Sequence, residues 1–282
     1  MNKEKIVSLI LCTLGRDNEV KAFIDSIISN EKKIELIIVD QNTDNRVKNI
    51  IDNYIFNKNI KLVYIKTDSR GLSKARNIGL LRATGDIVGF PDDDCMYSVR
   101  LIDKICCIFE TCDYDFISIK TQDPNFDYRS IVPCAQYHFE ISMRNRTGCS
   151  ITYFFKRDEE FKKCFFDELM GVGSGTYYGS GEETDFLINL LYIGKKGAYF
   201  PDVIVYHNAL GDSDSKIDKD RMLSYGGGYA YNIRKNKKKL GFLLSLKLIL
   251  AIPFKLLKSV LKFNMLCNSL YFLKGTMYGF FR

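Results

Sequence analysis

Three consecutive carboxylates, Asp92, Asp93 and Asp94, follow Pro91 and a short apolar run at residues 87–90. Adjacent carboxylates repel one another unless a cation sits among them, and a hard divalent ion takes oxygen ligands of this kind. Alone, such a run also reads as a solvated acidic turn. If the apolar run is a buried strand, the aspartates lie at its carboxyl end, the rim of an open α/β sheet where ligands bind. The chemistry this suggests is a divalent metal gripping a substrate diphosphate.

A second acidic group, Glu182, Glu183 and Asp185, follows the glycine-rich residues 171–181 and opens a helical pattern through Phe186, Leu187, Leu190 and Leu191. Carboxylates in a first helical turn are stabilised by the helix dipole, so capping alone would account for them. Beside the aspartates they also offer a general base for a substrate hydroxyl. Asp40 ends another strand-like run, where it either shapes a turn or accepts the ring N–H of a nucleotide base. Arg76 stands one helical turn beyond Gly71, Leu72 and Ser73, close to a helix start whose N–H groups attract phosphate. Arg76 and Asn77 would equally serve to cap and solvate that helix. Thr13 and Arg16 follow the first strand and are candidates to touch base or ribose.

The elements that must position these residues alternate. Residues 6–11 read as a strand, and Val20, Phe23, Ile24, Ile27 and Ile28 form an amphipathic helical stripe capped by Asp17 or Asn18. Residues 34–39 and 60–65 read as strands on either side of a stripe at Val47, Ile50, Ile51 and Tyr54. A helix over residues 73–82 and a strand over 87–90 complete a β-α-β-α-β-α-β order, which predicts a parallel sheet with helices on both faces. Further strands are expected near residues 116–119, 151–155 and 203–206. In a parallel sheet the segments after the first four strands share one rim. That brings Thr13 and Arg16, Asp40, the loop at Asp68 and Gly71, and the three aspartates toward a single site.

With these motifs in place the chain resembles the family 2 glycosyltransferases, whose nucleotide-sugar-binding domain has the GT-A fold. The resemblance rests on Thr13-Leu14-Gly15-Arg16, Val39-Asp40-Gln41-Asn42-Thr43-Asp44 and Gly71-Leu72-Ser73-Lys74-Ala75-Arg76-Asn77-Ile78-Gly79. It continues through Pro91-Asp92-Asp93-Asp94, Gly181-Glu182-Glu183-Thr184-Asp185-Phe186 and Val205-Tyr206-His207, in order over roughly residues 6–210. It implies that Asp92 addresses the ribose and Asp94 a Mn²⁺ or Mg²⁺ ion, with Asp93 orienting the loop. Thr13, Arg16, Asp40, Asp68, Gly71, Ser73, Arg76 and Asn77 would complete the donor site. A histidine placed like His207 can complete the metal shell in this family, although a lone histidine is commonly structural. The second acid of the family's Glu-Asp pair is the base, which maps to Glu183. Glutamate there departs from the usual aspartate, so Asp185 stands as the alternative. The reaction implied is transfer of a sugar, with inversion, from a nucleotide-diphosphate sugar (a UDP-sugar by analogy) to a glycan or lipid-linked oligosaccharide acceptor. The motifs are most like those of bacterial enzymes that build surface polysaccharides. His138, Cys95 and Cys149 read as structural residues.

Composition sets the remaining bounds. The 282 residues are 46% hydrophobic and 27% charged, ordinary for a globular protein with a sizeable core. Nine scattered cysteines without CxxC spacing argue against a disulfide framework or zinc site and fit a reducing cytosol. The first residues lead straight into a strand-length run, so no signal peptide is expected. The net charge of +7 is uneven: residues 221–282 hold twelve Lys and Arg and no acid, leaving 29 bases against 34 acids in residues 1–220. The expected organisation is a catalytic domain at residues 1–210, then a polar connector and basic helical tail at 211–282. In the tail, lysines alternate with apolar stretches at residues 240–252, ending at Pro253, and beyond. That pattern suits a helix lying in the membrane interface, and an association with the inner face of the cytoplasmic membrane is expected. Docking on the catalytic domain and a true span are the alternatives. A sugar-nucleotide pyrophosphorylase would want more glycine after the first strand. Nucleic acid is not expected as partner, because leucines interleave the bases.

Overall fold

The structure, a computed structural model, describes residues 4–126, 129–132, 134–208, 218–259 and 263–281. The backbone groups into two compact units. The first comprises residues 1–69, 75–165 and 194–209, and the second residues 70–74, 166–193 and 210–282. The expected boundary at residue 210, and residues 212–217 of the expected connector, lie outside the described residues.

The first unit is built on a nine-stranded sheet among the described residues. In chain order the strands are β1 (Ile6–Thr13), β2 (Lys33–Asp40), β3 (Ile60–Lys66), β4 (Ile87–Gly89), β5 (Cys95–Tyr97), β6 (Phe116–Gln122), β7 (Phe139–Ile141), β8 (Tyr153–Lys156) and β9 (Gly197–His207). Their order in the sheet is β3-β2-β1-β4-β8-β6-β9-β5, with β7 also pairing β9. The run from β3 to β4 is parallel, as the alternating pattern predicts. The other half is mixed, with β8 antiparallel to both β4 and β6 and β5 antiparallel to β9.

Helices α1 (Asn18–Ile27), α2 (Arg46–Asp52), α3 (Leu72–Leu80) and α4 (Leu101–Thr111) connect these strands. Val20, Phe23, Ile24 and Ile27 of α1 are buried, while Ile28 is exposed just past the helix end. The Asp17 carboxylate accepts from the Asn18 N–H and caps the helix as expected. Val7, Leu9, Ile10 and Leu11 are wholly buried, so β1 is covered on both faces, which explains its continuous apolar run. Each such side chain contributes about 1.5–3 kcal/mol by leaving water. The polar residues of this core are paired. Ser8 donates to Glu35 at 2.7 Å, and Glu35 also accepts from the Thr84 backbone N–H at 2.8 Å and hydroxyl at 2.6 Å.

The second unit holds α5 (Glu182–Tyr192), α6 (Lys219–Leu240), α7 (Phe242–Ser259) and α8 (Phe263–Phe281). The apolar stretch expected to end at Pro253 instead continues as helix to Ser259. Helices α6 and α8 approach through glycines. A Cβ on Gly226 would stand 2.0 Å from the Phe272 carbonyl oxygen, and one on Gly275 would stand 1.9 Å from that of Leu223. Among the described residues no helix is long and apolar enough to cross a membrane.

Candidate functional site

The parallel half of the sheet assembles the site residues of the first unit. Thr13 ends β1 and is the register partner of Asp40 at the end of β2. An isolated parallel bridge between Cys12 and Asp92 extends this edge beyond β4. The aspartates therefore leave the sheet beside the β1 terminus. The Thr13 hydroxyl donates to Asp93 at 2.7 Å. Arg16, in the loop after β1, reaches Asp93 at 2.9 Å and Asp94 at 2.5 Å. It neutralises the acidic run where the sequence alone suggests a base or ribose contact.

His207 arrives from the far side of the sheet. Strand β5 begins at Cys95, whose register partner on β9 is His207, and the pairing sets the imidazole beside Asp94. Its Nε2 lies 3.1 Å from Asp94 Oδ1, while Nδ1 donates to the Asn208 carbonyl at 2.8 Å. With Nδ1 turned to that carbonyl, Nε2 is the nitrogen directed at the aspartates, where it donates to Asp94 when protonated and would offer its lone pair to a metal when not. Ligand atoms of Asp92, Asp94 and His207 all lie within 4.8 Å of one another. Two carboxylates and one imidazole around that spacing fit Mn²⁺ or Mg²⁺.

The charges respond to this crowding. Burial opposes ionisation of Asp94, but hydrogen bonds from His207 and Arg16 outweigh it and hold the carboxyl well below the usual range. Asp93 is pushed up to about 6, chiefly by burial, with repulsion from Asp94 and Asp92 added against the Thr13 bond and Arg16. For His207 burial favours the neutral form, yet the Asp94 carboxylate prevails and raises its pKa. In this arrangement the Arg16 guanidinium brings positive charge to the acidic run, and His207 bonds to Asp94.

Arg76 is 2% exposed, and its guanidinium donates to Asp92 at 3.1 Å and to Ser150 at 2.8 Å. Its observed contacts thus orient Asp92, whereas a phosphate contact was the expectation. Asn77 is buried beside it on α3. Asp40 is also fully buried. One oxygen accepts from the Asn42 backbone and side-chain N–H groups at 2.8 and 2.7 Å, the other from Tyr64 at 2.7 Å and Lys66 at 2.9 Å. Those four donors fill the carboxylate's lone pairs, so a base N–H would have to displace one. Burial opposes its ionisation, but Lys66, Tyr64 and Asn42 keep its pKa low. Asp68 is exposed in the loop after β3.

The remaining site residues belong to the second unit. Gly71 has φ +113°, and a Cβ there would stand 3.2 Å from the Gly173 carbonyl oxygen, so only glycine suits this close approach. Leu72 N–H donates to Val172 and the Ser73 hydroxyl to Met170, at 2.9 and 2.7 Å. The GLS segment is thereby tied to the glycine-rich loop. Gly181, with φ +84°, precedes α5, and Glu182, Glu183 and Asp185 occupy the first turn. Glu183 is partly exposed. Asp185, held as the alternative base, is fully buried and accepts from Lys235 at 2.8 Å and Asn236 at 2.7 Å. That geometry serves to pack α5 on α6. The Lys235 partnership leaves a sequence signal only in that Lys235 and Asn236 lie on a long helical segment of α6. The Lys66 contact of Asp40 was more accessible, since the two are register partners at adjoining strand ends.

A mixed sheet covered by helices, with an Asp-Asp-His cluster at the carboxyl ends of its parallel strands, defines a Rossmann-like, GT-A class of protein. The sequence profile of Glycosyl transferase family 2 matches residues 8–167, more than half of the chain, and the chain belongs to that family. No curated protein matches it by sequence. Among solved structures it is similar to S. aureus TarS (TM-score 0.62, 14% identity, 97% of this chain and 55% of that one). The chain thus spans little more than half the length of that relative. It is likewise similar to TarS 1-349 in complex with UDP-GlcNAc (0.64, 17%, 96% and 81%). A third is the mannosyltransferase PcManGT from Pyrobaculum calidifontis in complex with GDP-Man and Mn²⁺ (0.61, 15%, 99% and 88%). The fold is therefore that of the GT-A glycosyltransferases, in keeping with the family that residues 8–167 match.

Proposed function

We propose that this glycosyltransferase is metal-dependent and inverting, and that it moves a sugar from a nucleoside-diphosphate sugar to a hydroxyl of a lipid-linked glycan. The observation that carries the reading is the Asp92, Asp94 and His207 cluster, with its ligand atoms within 4.8 Å of one another. A Mn²⁺ or Mg²⁺ ion held there supplies positive charge for a departing diphosphate. Arg16 and Arg76 hold the aspartates in place from either side. Glu183 accepts the proton of the acceptor hydroxyl as its oxygen bonds to the anomeric carbon. The bond from that carbon to the diphosphate breaks, and its electron pair leaves with the phosphate oxygen. One displacement inverts the configuration. A uridine nucleotide is the donor proposed, with a guanosine nucleotide as the alternative, since one similar structure holds UDP-GlcNAc and another GDP-Man. The basic segment at residues 221–282 supports a peripheral place on the inner face of the cytoplasmic membrane, where a lipid-linked acceptor for cell-surface polysaccharide would be met. The test is nucleoside diphosphate release across a panel of UDP-, GDP- and dTDP-sugars, with Mn²⁺, with Mg²⁺ and with chelator. Release from one nucleotide class, lost with chelator, is expected. Equal release in chelator, or release of none from the whole panel, would sink the proposal.

A further inference from the structure

Helix α7 leaves a broad apolar face to solvent. Its large apolar residues Phe242, Leu243, Leu246, Ile249 and Leu250 are 77, 78, 38, 38 and 52% exposed. They fall at i, i+1, i+4, i+7 and i+8, one continuous face. Ser245, at the border of that face, is 8% exposed, and among the described residues its hydroxyl has no hydrogen-bond partner. Each of these choices is costly for a helix surrounded by solvent.

The same stretch borders a cavity of about 450 Å³ within the second unit, a size typical of small-molecule sites. Ile233, Leu246, Ile249 and Phe280 give it an apolar lining that the orphan Ser245 hydroxyl shares. Arg234, Lys237 and Lys238 complete the wall from α6. Lys235 is engaged by Asp167 and Asp185, but Lys237 and Lys238 are exposed. With no acid in residues 221–282, a second copy of the chain docked on this face would bring like charges together. An occupant with an apolar chain and an anionic head satisfies every one of these features.

We propose that this cavity binds one anionic phospholipid of the membrane leaflet, with its acyl chain on the apolar lining and its phosphate at Arg234, Lys237 and Lys238. Ser245 then donates to an ester or phosphate oxygen of the head. The exposed α7 face lies among neighbouring acyl chains, and the lysines lie at headgroup level. The inference deepens the membrane-associated reading given above and rests on it.

The probe is lysophosphatidylglycerol, titrated calorimetrically into the full chain below its micelle concentration. Saturable binding of one molecule is expected, at least tenfold tighter than lysophosphatidylcholine of the same chain, with glycerol phosphate alone failing to bind. Ile249→Trp, which fills the cavity, and the double variant Lys237→Gln/Lys238→Gln should each weaken binding at least tenfold. Ser245→Ala adds no bulk and guards against misfolding of the tryptophan variant; a roughly three- to tenfold loss is expected. Unsaturable uptake, equal affinity for both lipids, or wild-type affinity in Ile249→Trp and Ser245→Ala would overturn the pocket. So would a dimer in sedimentation equilibrium that Ile249→Trp dissociates, since the occupant would then be a second copy. Co-sedimentation with phosphatidylglycerol vesicles and nucleoside diphosphate release are read on the same samples. Vesicle binding and release that persist without saturable lysolipid binding would fail the pocket alone; absence of both would fail the wider reading.

Discussion

The imidazole Nε2 of His207 stands 3.1 Å from Oδ1 of Asp94 because β5 pairs antiparallel with the end of β9. Cys95, the residue after Asp94, is opposite His207 in that register. The histidine and the acidic run, far apart in sequence, are therefore one unit of sheet geometry. A three-residue strand with no distinctive composition does the positioning.

Loss of this imidazole should act through metal affinity. His207→Ala is expected to raise the half-saturating Mn²⁺ concentration for nucleoside diphosphate release by at least roughly tenfold. Excess Mn²⁺ should recover much of the rate. Asp94→Ala removes a charged ligand and should abolish release at any Mn²⁺ concentration. Metal titrations of both variants that overlay the wild-type curve would show that the cluster holds no catalytic ion.

The two acids of α5 should separate by readout. Glu183→Gln is expected to keep donor binding and fold while losing acceptor-dependent turnover by roughly 10²–10⁴-fold. Asp185→Asn should instead lower stability by about 1–3 kcal/mol, because Lys235 and Asn236 lose a buried carboxylate. Activity per folded molecule should persist in that variant. A stable Asp185→Asn protein with no turnover would exchange the two assignments.

Much of this was legible in residue patterns. The alternation of strands and helices up to Phe90 needed only apolar periodicity, because parallel strands covered on both faces read as continuous apolar runs. The second half was harder. Strands β5 and β7 are three residues long, and their pairing with β9 depends on long-range register, which carries no local signal. Site residues followed the same division. Thr13, Asp40 and the aspartates were placed by their position after strands. The contacts of Arg16, Arg76 and Asp185 were not, since a long or buried side chain takes the partner that tertiary packing brings. Arg76 shows this best: it points into the protein, onto Asp92 and Ser150.

The close contact of α6 and α8 predicts a strong effect from a single methyl group. Gly226→Ala would place a Cβ 2.0 Å from the Phe272 carbonyl oxygen and 2.9 Å from the Thr276 nitrogen. Backbone cannot yield as a flexible side chain would, so the helices must separate. A loss of about 1–3 kcal/mol or more is expected in urea or thermal unfolding. An unchanged melting temperature would mean that these helices do not pack through their glycines.

Acid stability should depend on Glu35, which is 1% exposed. Burial favours its protonated form, but bonds from Thr84, Ser8 and Lys61 prevail and set its pKa below the ordinary glutamate value. The folded state therefore binds the proton less tightly than the unfolded chain, where the value is about 4.3. The stabilisation from the carboxylate is fully present above that unfolded value and is lost as pH falls through the lower folded one. Asp40 shifts in the same direction, so the wild-type protein has more than one acid-labile carboxylate in this sheet. Comparison with Glu35→Gln isolates one of them. At neutral pH the variant should be less stable by about 1–3 kcal/mol, since an amide cannot accept all the donors that Ser8, Thr84 and Lys61 present. On acidification the wild-type stability should fall toward that of the variant, and the gap should narrow through and below the ordinary glutamate range. Urea unfolding of both proteins from pH 7 to pH 3 gives the comparison. A gap that stays constant over that range would show that the Glu35 carboxylate is not what the bonds from Ser8 and Thr84 stabilise.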